Sequence, residues 1–197
     1  SLRKKIQMVF QDPFSSLSPR LTIGQILEEG ISLHFSSINS LEKVKMCSEV
    51  MEEVGLKSDF LSRYPHEFSG GQRQRIGIAR ALSMGPDVVL ADECVSALDL
   101  SVQKQVLLLL NKLQKTYNMA IIFITHDLRV AAQVSDYIAV MEKGIIVEFG
   151  TAYNVFNKPK HNYTKMLLEA APGKDWHPPR LDPEEAAKIA KSLETIN

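Results

Sequence analysis

The chain has 197 residues, 45% of them hydrophobic, with 23 basic and 23 acidic side chains. These are ordinary values for one globular domain large enough to bury a real core, with room for a small appendage. The zero formal net charge gives no reason to expect a nucleic-acid partner or an anionic-membrane surface.

In chain order, Ile6, Met8 and Phe10 alternate with Lys5, Gln7 and Val9, a strand pattern over Lys5 to Phe10. A polar loop from Gln11 to Pro19, broken by Pro13 and Pro19, follows. Thr22 is suited to cap a helix through Ile23, Ile26 and Leu27. A second helix is predicted from Ser40 to Val54, with Leu41, Val44, Val50, Met51 and Val54 as its apolar stripe and Gly55 as its stop. A turn through Leu61 to Phe68 leads to Ser69-Gly70-Gly71-Gln72 and a third helix ending near Met84, before Gly85-Pro86. From here the pattern alternates. Val88 to Ala91 and Ala120 to Ile124 read as strands buried on both faces. Between them lies a helix, Ser101 to Tyr117, with Val102, Val106, Leu109, Leu110 and Leu113 on one side. Leu128 to Val134 is helical, and Tyr137 to Met141 and Ile145 to Phe149 flank a hairpin turn at Glu142-Lys143-Gly144. Short helices near Tyr153 and Tyr163 follow, then a proline-rich tail from Pro172 with a helical pattern over Glu184 to Leu193. A mainly helical first part followed by strand–helix alternation predicts a parallel α/β sheet with helices on its faces.

Cys47 and Cys94 fit neither a metal spacing nor a disulfide framework, and a reducing compartment is the simplest expectation. No apolar run approaches the ~18–20 residues that span a bilayer. The first strand starts within a few residues of Ser1, so further elements of the fold are expected ahead of it.

Three segments carry chemistry. The strand Val88 to Ala91 ends in Asp92 and Glu93. C-terminal ends of parallel strands face the ligand crevice, so Asp92 is placed to meet Mg²⁺ and Glu93 to orient or deprotonate a water. The strand Ala120 to Ile124 leads into Thr125-His126-Asp127, where an imidazole is positioned to contact a phosphate. Ser69 is an N-cap, and Gly70 and Gly71 leave backbone N–H groups open at a helix start where the dipole favours an anion. Each feature alone is commonplace.

Their order is not. A Ser-Gly-Gly-Gln helix start, a strand ending in Asp-Glu, Ser96-Ala97-Leu98-Asp99, and a strand ending in Thr-His-Asp follow one another. The series resembles the ABC-type ATPases over roughly residues 1–170. Phe68 to Gln72 looks like the family signature, usually Leu-Ser-Gly-Gly-Gln. Val88 to Glu93 matches the Walker B strand and its catalytic glutamate, Ser96 to Asp99 the D-loop, His126 the switch histidine and Gln11 the Q-loop glutamine. The resemblance implies a P-loop NTPase (RecA-like) ABC ATPase core with an inserted α-helical subdomain. Its expected segments are residues 1–21 (Q-loop strand and loop), 22–86 (helical subdomain with the signature), 87–157 (C-terminal half of the core) and 158–197 (a C-terminal extension). It further implies ATP and Mg²⁺ as ligands. Glu93, His126 and Gln11 are the expected catalytic residues, with Asp92 and Gln11 at the metal. Ser69, Gly70, Gly71, Gln72 and Asp99 are expected at nucleotide. Implied partners are a second ABC ATPase subunit and membrane permease subunits, with peripheral attachment at the cytoplasmic face of a prokaryotic membrane. Gln11 to Pro19, Val95 to Asp99 and Pro159-Lys160-His161-Asn162-Tyr163-Thr164 look like the di- and oligopeptide importers. Asn162 stands where those usually have proline. These segments weigh against an ABC ATPase of repair or translation.

Two departures matter. Cys94 occupies a position where the family usually has proline. And the sequence contains no Gly-x-x-x-x-Gly-Lys-Ser/Thr loop: its Gly-Lys pair, Gly173-Lys174, is followed by Asp175 and preceded by Leu168 at the position of the first glycine. In the family that loop precedes the Q-loop strand. The core is therefore expected to lack its N-terminal strands and P-loop, the chain alone to hold ATP weakly or not at all, and the strands at Val88 and Ile121 to be left as edges. The rival expectation is a non-catalytic assembly module that offers only its signature helix in trans.

Overall fold

The computed structural model describes residues 2–12, 16–35 and 37–170. The expected helix over Glu184 to Leu193 and the tail from Pro172 lie outside them. Contacts divide the chain into two compact units, Ser1–Thr125 and His126–Asn197.

In the first unit a single-turn helix α1 (Leu2–Lys5) runs into strand β1 (Ile6–Val9). Helices α2 (Ile23–His34) and α3 (Ser40–Glu53) follow, each opened by a reciprocal capping box, Thr22 with Gln25 and Asn39 with Glu42. Two 3₁₀ turns, Ser58–Ser62 and Pro65–Glu67, lead to α4 (Gly70–Leu82). Strand β2 (Val88–Asp92), helix α5 (Leu100–Tyr117) and strand β3 (Ala120–Ile124) complete the unit.

The three strands form a parallel sheet in the order β1-β2-β3, in register Ile6↔Val88↔Ala120 and Met8↔Leu90↔Ile122. Val9, Val89 and Ala91 are buried in the sheet, and α4 packs against β1 and α5. The α4 residues Ile76, Ile78 and Leu82 and the α5 residues Val106, Leu110 and Leu113 are likewise buried. A second layer, α2 and α3, packs on α4 through Ile23, Leu27, Ile31, Met51 and Val54.

Three expectations are corrected. On α3 the buried stripe is Cys47, Val50, Met51 and Val54, whereas Leu41 and Val44, towards the helix start, are exposed: burial is confined to the C-terminal half of the helix. The strands are not buried on both faces: β3 alternates exposed and half-buried positions, and Ile122 is 56% exposed. Nor is β2 an edge, since it pairs with both β1 and β3; of the two strands expected to be edges, only β3 is one.

In the second unit α6 (Leu128–Val134) precedes an antiparallel hairpin, β4 (Tyr137–Glu142) and β5 (Ile145–Thr151), with a bulge at Val140/Met141. Lys143 and Gly144 carry φ of 50° and 82°, the paired left-handed residues of a two-residue hairpin turn. Helices α7 (Ala152–Asn157) and α8 (Asn162–Ala170) follow. Ile138, Val140, Ala152 and Val155 form the core, with Tyr163 and Leu167 against it.

Candidate functional site

Parallel pairing brings the C-terminal ends of β1 and β2 side by side, Val9 opposite Ala91. Gln11, two residues past β1, and Glu93, one past β2, meet there: Gln11 Nε2 donates to Glu93 Oε2 at 2.7 Å. A contact spanning 82 positions in sequence follows directly from the register of two short strands.

Glu93 is held by its backbone as well. Its N–H donates to Ile124 O at 2.9 Å, and its carbonyl accepts from Ser96 N at 3.0 Å and from Ser96 Oγ at 2.9 Å. Its φ is +42°, a left-handed conformation that a non-glycine residue keeps only when its surroundings hold it. Those three bonds are that hold. Cys94 is relevant here. A proline at 94 would restrict the preceding residue, whereas cysteine leaves Glu93 free of that restriction. Cys94 itself is 1% exposed, and burial, with the Asp92 charge adding, pushes its thiol up to about 12. It is a packing residue, not a nucleophile.

Asp92 ends β2 and is half-buried. Among the described residues no group of three or more His, Cys, Asp or Glu gathers in metal-binding geometry. A single strand-end carboxylate suits Mg²⁺, which keeps most of its waters and takes the rest of its shell from substrate phosphates.

The Ser-Gly-Gly-Gln segment opens α4. Ser69 Oγ accepts from Gln72 N at 3.3 Å and Gln72 Oε1 accepts from Ser69 N at 3.0 Å, a complete capping box. The two glycines have different reasons to be glycine. A Cβ on Gly71 would lie 2.4 Å from Val102 Cγ1 of α5, so close packing inside the chain excludes it. A Cβ on Gly70 would meet only Leu98 Cδ2 at 3.9 Å, an ordinary contact. The argument that a bare backbone admits a phosphate therefore rests on Gly70. Asp99 caps α5, accepting from Ser101 N at 3.1 Å and Val102 N at 3.0 Å.

His126 opens the second unit, one residue before Asp127, which caps α6 by accepting from Arg129 N at 2.8 Å. The first unit thus brings Gln11 and Glu93 together, with Asp92 next to Glu93 in sequence. His126 belongs to a different compact unit.

Two anchoring groups were not singled out from sequence. Glu148 accepts from Lys160 N at 2.9 Å and His161 N at 3.0 Å, and His161 Nδ1 accepts from Tyr163 N at 3.2 Å. The Pro159-to-Thr164 segment is therefore a helix start clamped to the hairpin. Arg80, on α4, donates to Ser16 O at 2.5 Å. A lone arginine in a helix pattern gives no signal of such a reach. An acid facing outward on β5, opposite a proline-bounded helix start, gives a faint one.

The comparisons with known proteins agree with this architecture. Residues 1–96 match the ABC transporter family. The oligopeptide transport ATP-binding protein AmiF of Streptococcus pneumoniae is 50% identical over 188 residues, 95% of this chain and 60% of that protein. The dipeptide transport ATP-binding protein DppF of Haemophilus influenzae is 51% identical over 170 residues, 86% of this chain and 52% of that protein. Over most of its length the chain is similar to ATP-binding proteins of ABC transporters. Its fold is that of an ABC ATPase: the structure of cbiO1 from Clostridium perfringens, described as part of the ABC transporter complex cbiONQ, superposes with a TM-score of 0.70 at 27% identity, covering 79% of this chain and 61% of that one. The chain spans about half to two thirds of the length of the curated relatives it matches, from 52% to 63%.

Proposed function

We propose that this chain contributes the signature helix and the hydrolytic side chains of an ATP-binding subunit in an ABC importer of di- or oligopeptides. The observation that carries the proposal is the Gln11–Glu93 pair at 2.7 Å, at the C-terminal ends of adjacent parallel strands. The relatives' names, oligopeptide and dipeptide transport ATP-binding proteins, support the substrate class.

In this reading Glu93 takes up the proton of the attacking water and Gln11 holds its carboxylate in place. Asp92 and Gln11 stand at Mg²⁺, which when bound neutralises phosphate charge. His126 meets the γ-phosphate side. Ser69, Gly70, Gly71 and Gln72 close over nucleotide held by a second ABC subunit, with Asp99 at the facing loop. In this reading attachment to the membrane runs through permease subunits at the cytoplasmic face; no helix among the described residues is long and apolar enough to cross a membrane. The test is Glu93→Gln in the complete subunit, P-loop included. ATP binding should persist while turnover falls by about 10²-fold or more, the usual worth of a general base. Preserved turnover would refute the role of Glu93.

The absence of a P-loop sequence in these 197 residues favours a second reading. By itself the chain is a module that offers its signature helix to nucleotide on a partner. Titration of the lone chain with a fluorescent ATP analogue tests this. Saturable binding comparable to that of a complete cassette is the result that sinks it.

A further inference from the structure

The segment that carries Gln11 is held at more than Gln11 itself. Just before it, Phe10 is 44% exposed on one side, and the Arg80 guanidinium lies over its ring, 5.9 Å from the centroid. Just after it, the Ser16 carbonyl accepts a 2.5 Å bond from Arg80 Nη1, and Leu17 is buried at 1% exposure. One side chain therefore touches the chain on both sides of Gln11. Arg80 lies near the end of α4, whose opposite end is the Ser69–Gln72 cap. At 13 residues, α4 is about 20 Å long. The charge of Glu29, on α2, also acts on Arg80. Burial lowers the Arg80 pKa, yet a guanidinium stays charged in proteins. A charged donor on a backbone carbonyl makes a stronger bond than a neutral one. Lysine could supply the charge, but not a planar group that donates at one edge while its face lies on a ring.

We propose that Arg80 is a positioning residue for ATP turnover: by clasping Phe10 and Ser16 it keeps Gln11 on Glu93 and ties that pair to the helix that begins at the signature. The proposal rests on the hydrolytic reading of Glu93 given above. It assigns α4 two working ends, one at the nucleotide-facing cap and one at the Gln11 segment. A shift of the cap is then felt at the hydrolytic pair through one rigid helix and one side chain.

The test is a double-mutant cycle in the complete subunit, read as kcat and KM for ATP, with Arg80→Lys, Arg80→Gln, Gln11→Ala and their combinations. Arg80→Lys should lower kcat about 10-fold or more, the scale of one charged hydrogen bond, and leave KM within about twofold. In the Gln11→Ala background the same change should lower kcat less than about twofold, because Arg80 then has nothing to position. Additive losses overturn the proposal. So does a rise in KM with kcat unchanged, and so does failure of both Arg80 variants to fold, which would make Arg80 a core residue only. Glu93→Gln in the same series separates the two levels. If it leaves turnover intact, the hydrolytic reading fails. If it abolishes turnover while Arg80 and Gln11 act additively, only the Arg80 assignment fails.

Discussion

Replacing Gly71 by alanine isolates the role of one missing methyl group. The added Cβ would sit 2.4 Å from Val102 Cγ1, well inside van der Waals contact. Relief has to come from Val102 or from separation of α4 and α5. Val102 is β-branched and helical, so its χ1 has one strongly preferred value, and its methyl is not the loose end of a long side chain. Overpacking of this kind costs about 1–3 kcal/mol. Alanine recovers at most about 1 kcal/mol of helix propensity, and less in the first turn, where Gly71 stands. The net expectation is a loss of about 1–2 kcal/mol for Gly71→Ala. Gly70→Ala, with its nearest contact at 3.9 Å, should be neutral or slightly stabilising.

Urea unfolding of the complete subunit measures both, and Val102→Ala supplies the control. Truncating Val102 makes room, so the double variant Gly71→Ala/Val102→Ala should show a favourable coupling of about 1 kcal/mol or more. Equal costs at Gly70 and Gly71, or no coupling with Val102, would refute the packing explanation. The signature glycines would then owe their identity wholly to what binds them.

Three further outcomes are expected. Cys47 and Cys94 are buried, and burial pushes their thiols up to about 11 and about 12. A thiol reagent at pH 8 should label neither in the folded subunit and both in denaturant; rapid native labelling would contradict the burial. Both folded-state values lie above the ordinary thiol value, so their contribution to stability is full below about pH 9 and is lost as pH rises toward 11–12. Ser96→Ala removes one of the two bonds on the Glu93 carbonyl while the Ser96 amide bond remains, so stability should fall by about 0.5–1.5 kcal/mol. Ser96→Thr, which keeps the hydroxyl, should restore it in the same melt. For Glu148, burial acts to raise the carboxyl, but the amides of His161 and Lys160 that donate to it outweigh this and hold the pKa below the ordinary value. The clamp's contribution is thus present above the unfolded carboxylate pKa and lost as pH falls through the lower folded value. Glu148→Gln should flatten that acid limb in a pH series of melts, and an unchanged limb would argue against it.

Much of this was legible in the sequence, for a physical reason. Helix starts are written locally. Thr22 and Ser69 are read as caps because the acceptor and the amide it satisfies lie within three residues of each other. The hairpin turn is equally local. The meeting of Gln11 and Glu93 follows from the fold because strand ends in a parallel sheet fall on one side, and the register sets the end of β1 beside the end of β2. What stayed hidden depends on partners distant in sequence. Nothing near Gly71 announces Val102, and nothing near Arg80 announces Ser16. The left-handed Glu93 is invisible too, because the bonds that hold it come from Ile124 and Ser96. The apolar stripe of α3 was misplaced by a turn because periodicity identifies apolar residues without saying whether a neighbour reaches them. Cys47 was buried and Leu41 was not.

The same limit decides how the isolated chain should behave. Ile6, Met8, Val88, Leu90, Ala120 and Ile122 lie in register on one side of the β1-β2-β3 sheet, since alternate residues share a face. The opposite face holds Val9, Val89 and Ala91, each no more than 2% exposed. The first face is far more open, with Ile6 at 44% and Ile122 at 56%, and Ile124 of the same strand at 45%. β3 is also an edge, so an apolar surface adjoins a row of unpaired backbone donors and acceptors. That combination templates pairing with another chain. The lone 197-residue chain should therefore self-associate at micromolar concentration, seen as a concentration-dependent mass in sedimentation velocity. Ile122→Lys places a charge on the exposed face of the edge strand without touching the buried one, and should shift the population toward monomer. A wild-type chain that stays monomeric and melts cooperatively would show that the open sheet face is tolerated, and would remove the ground for expecting covering elements there.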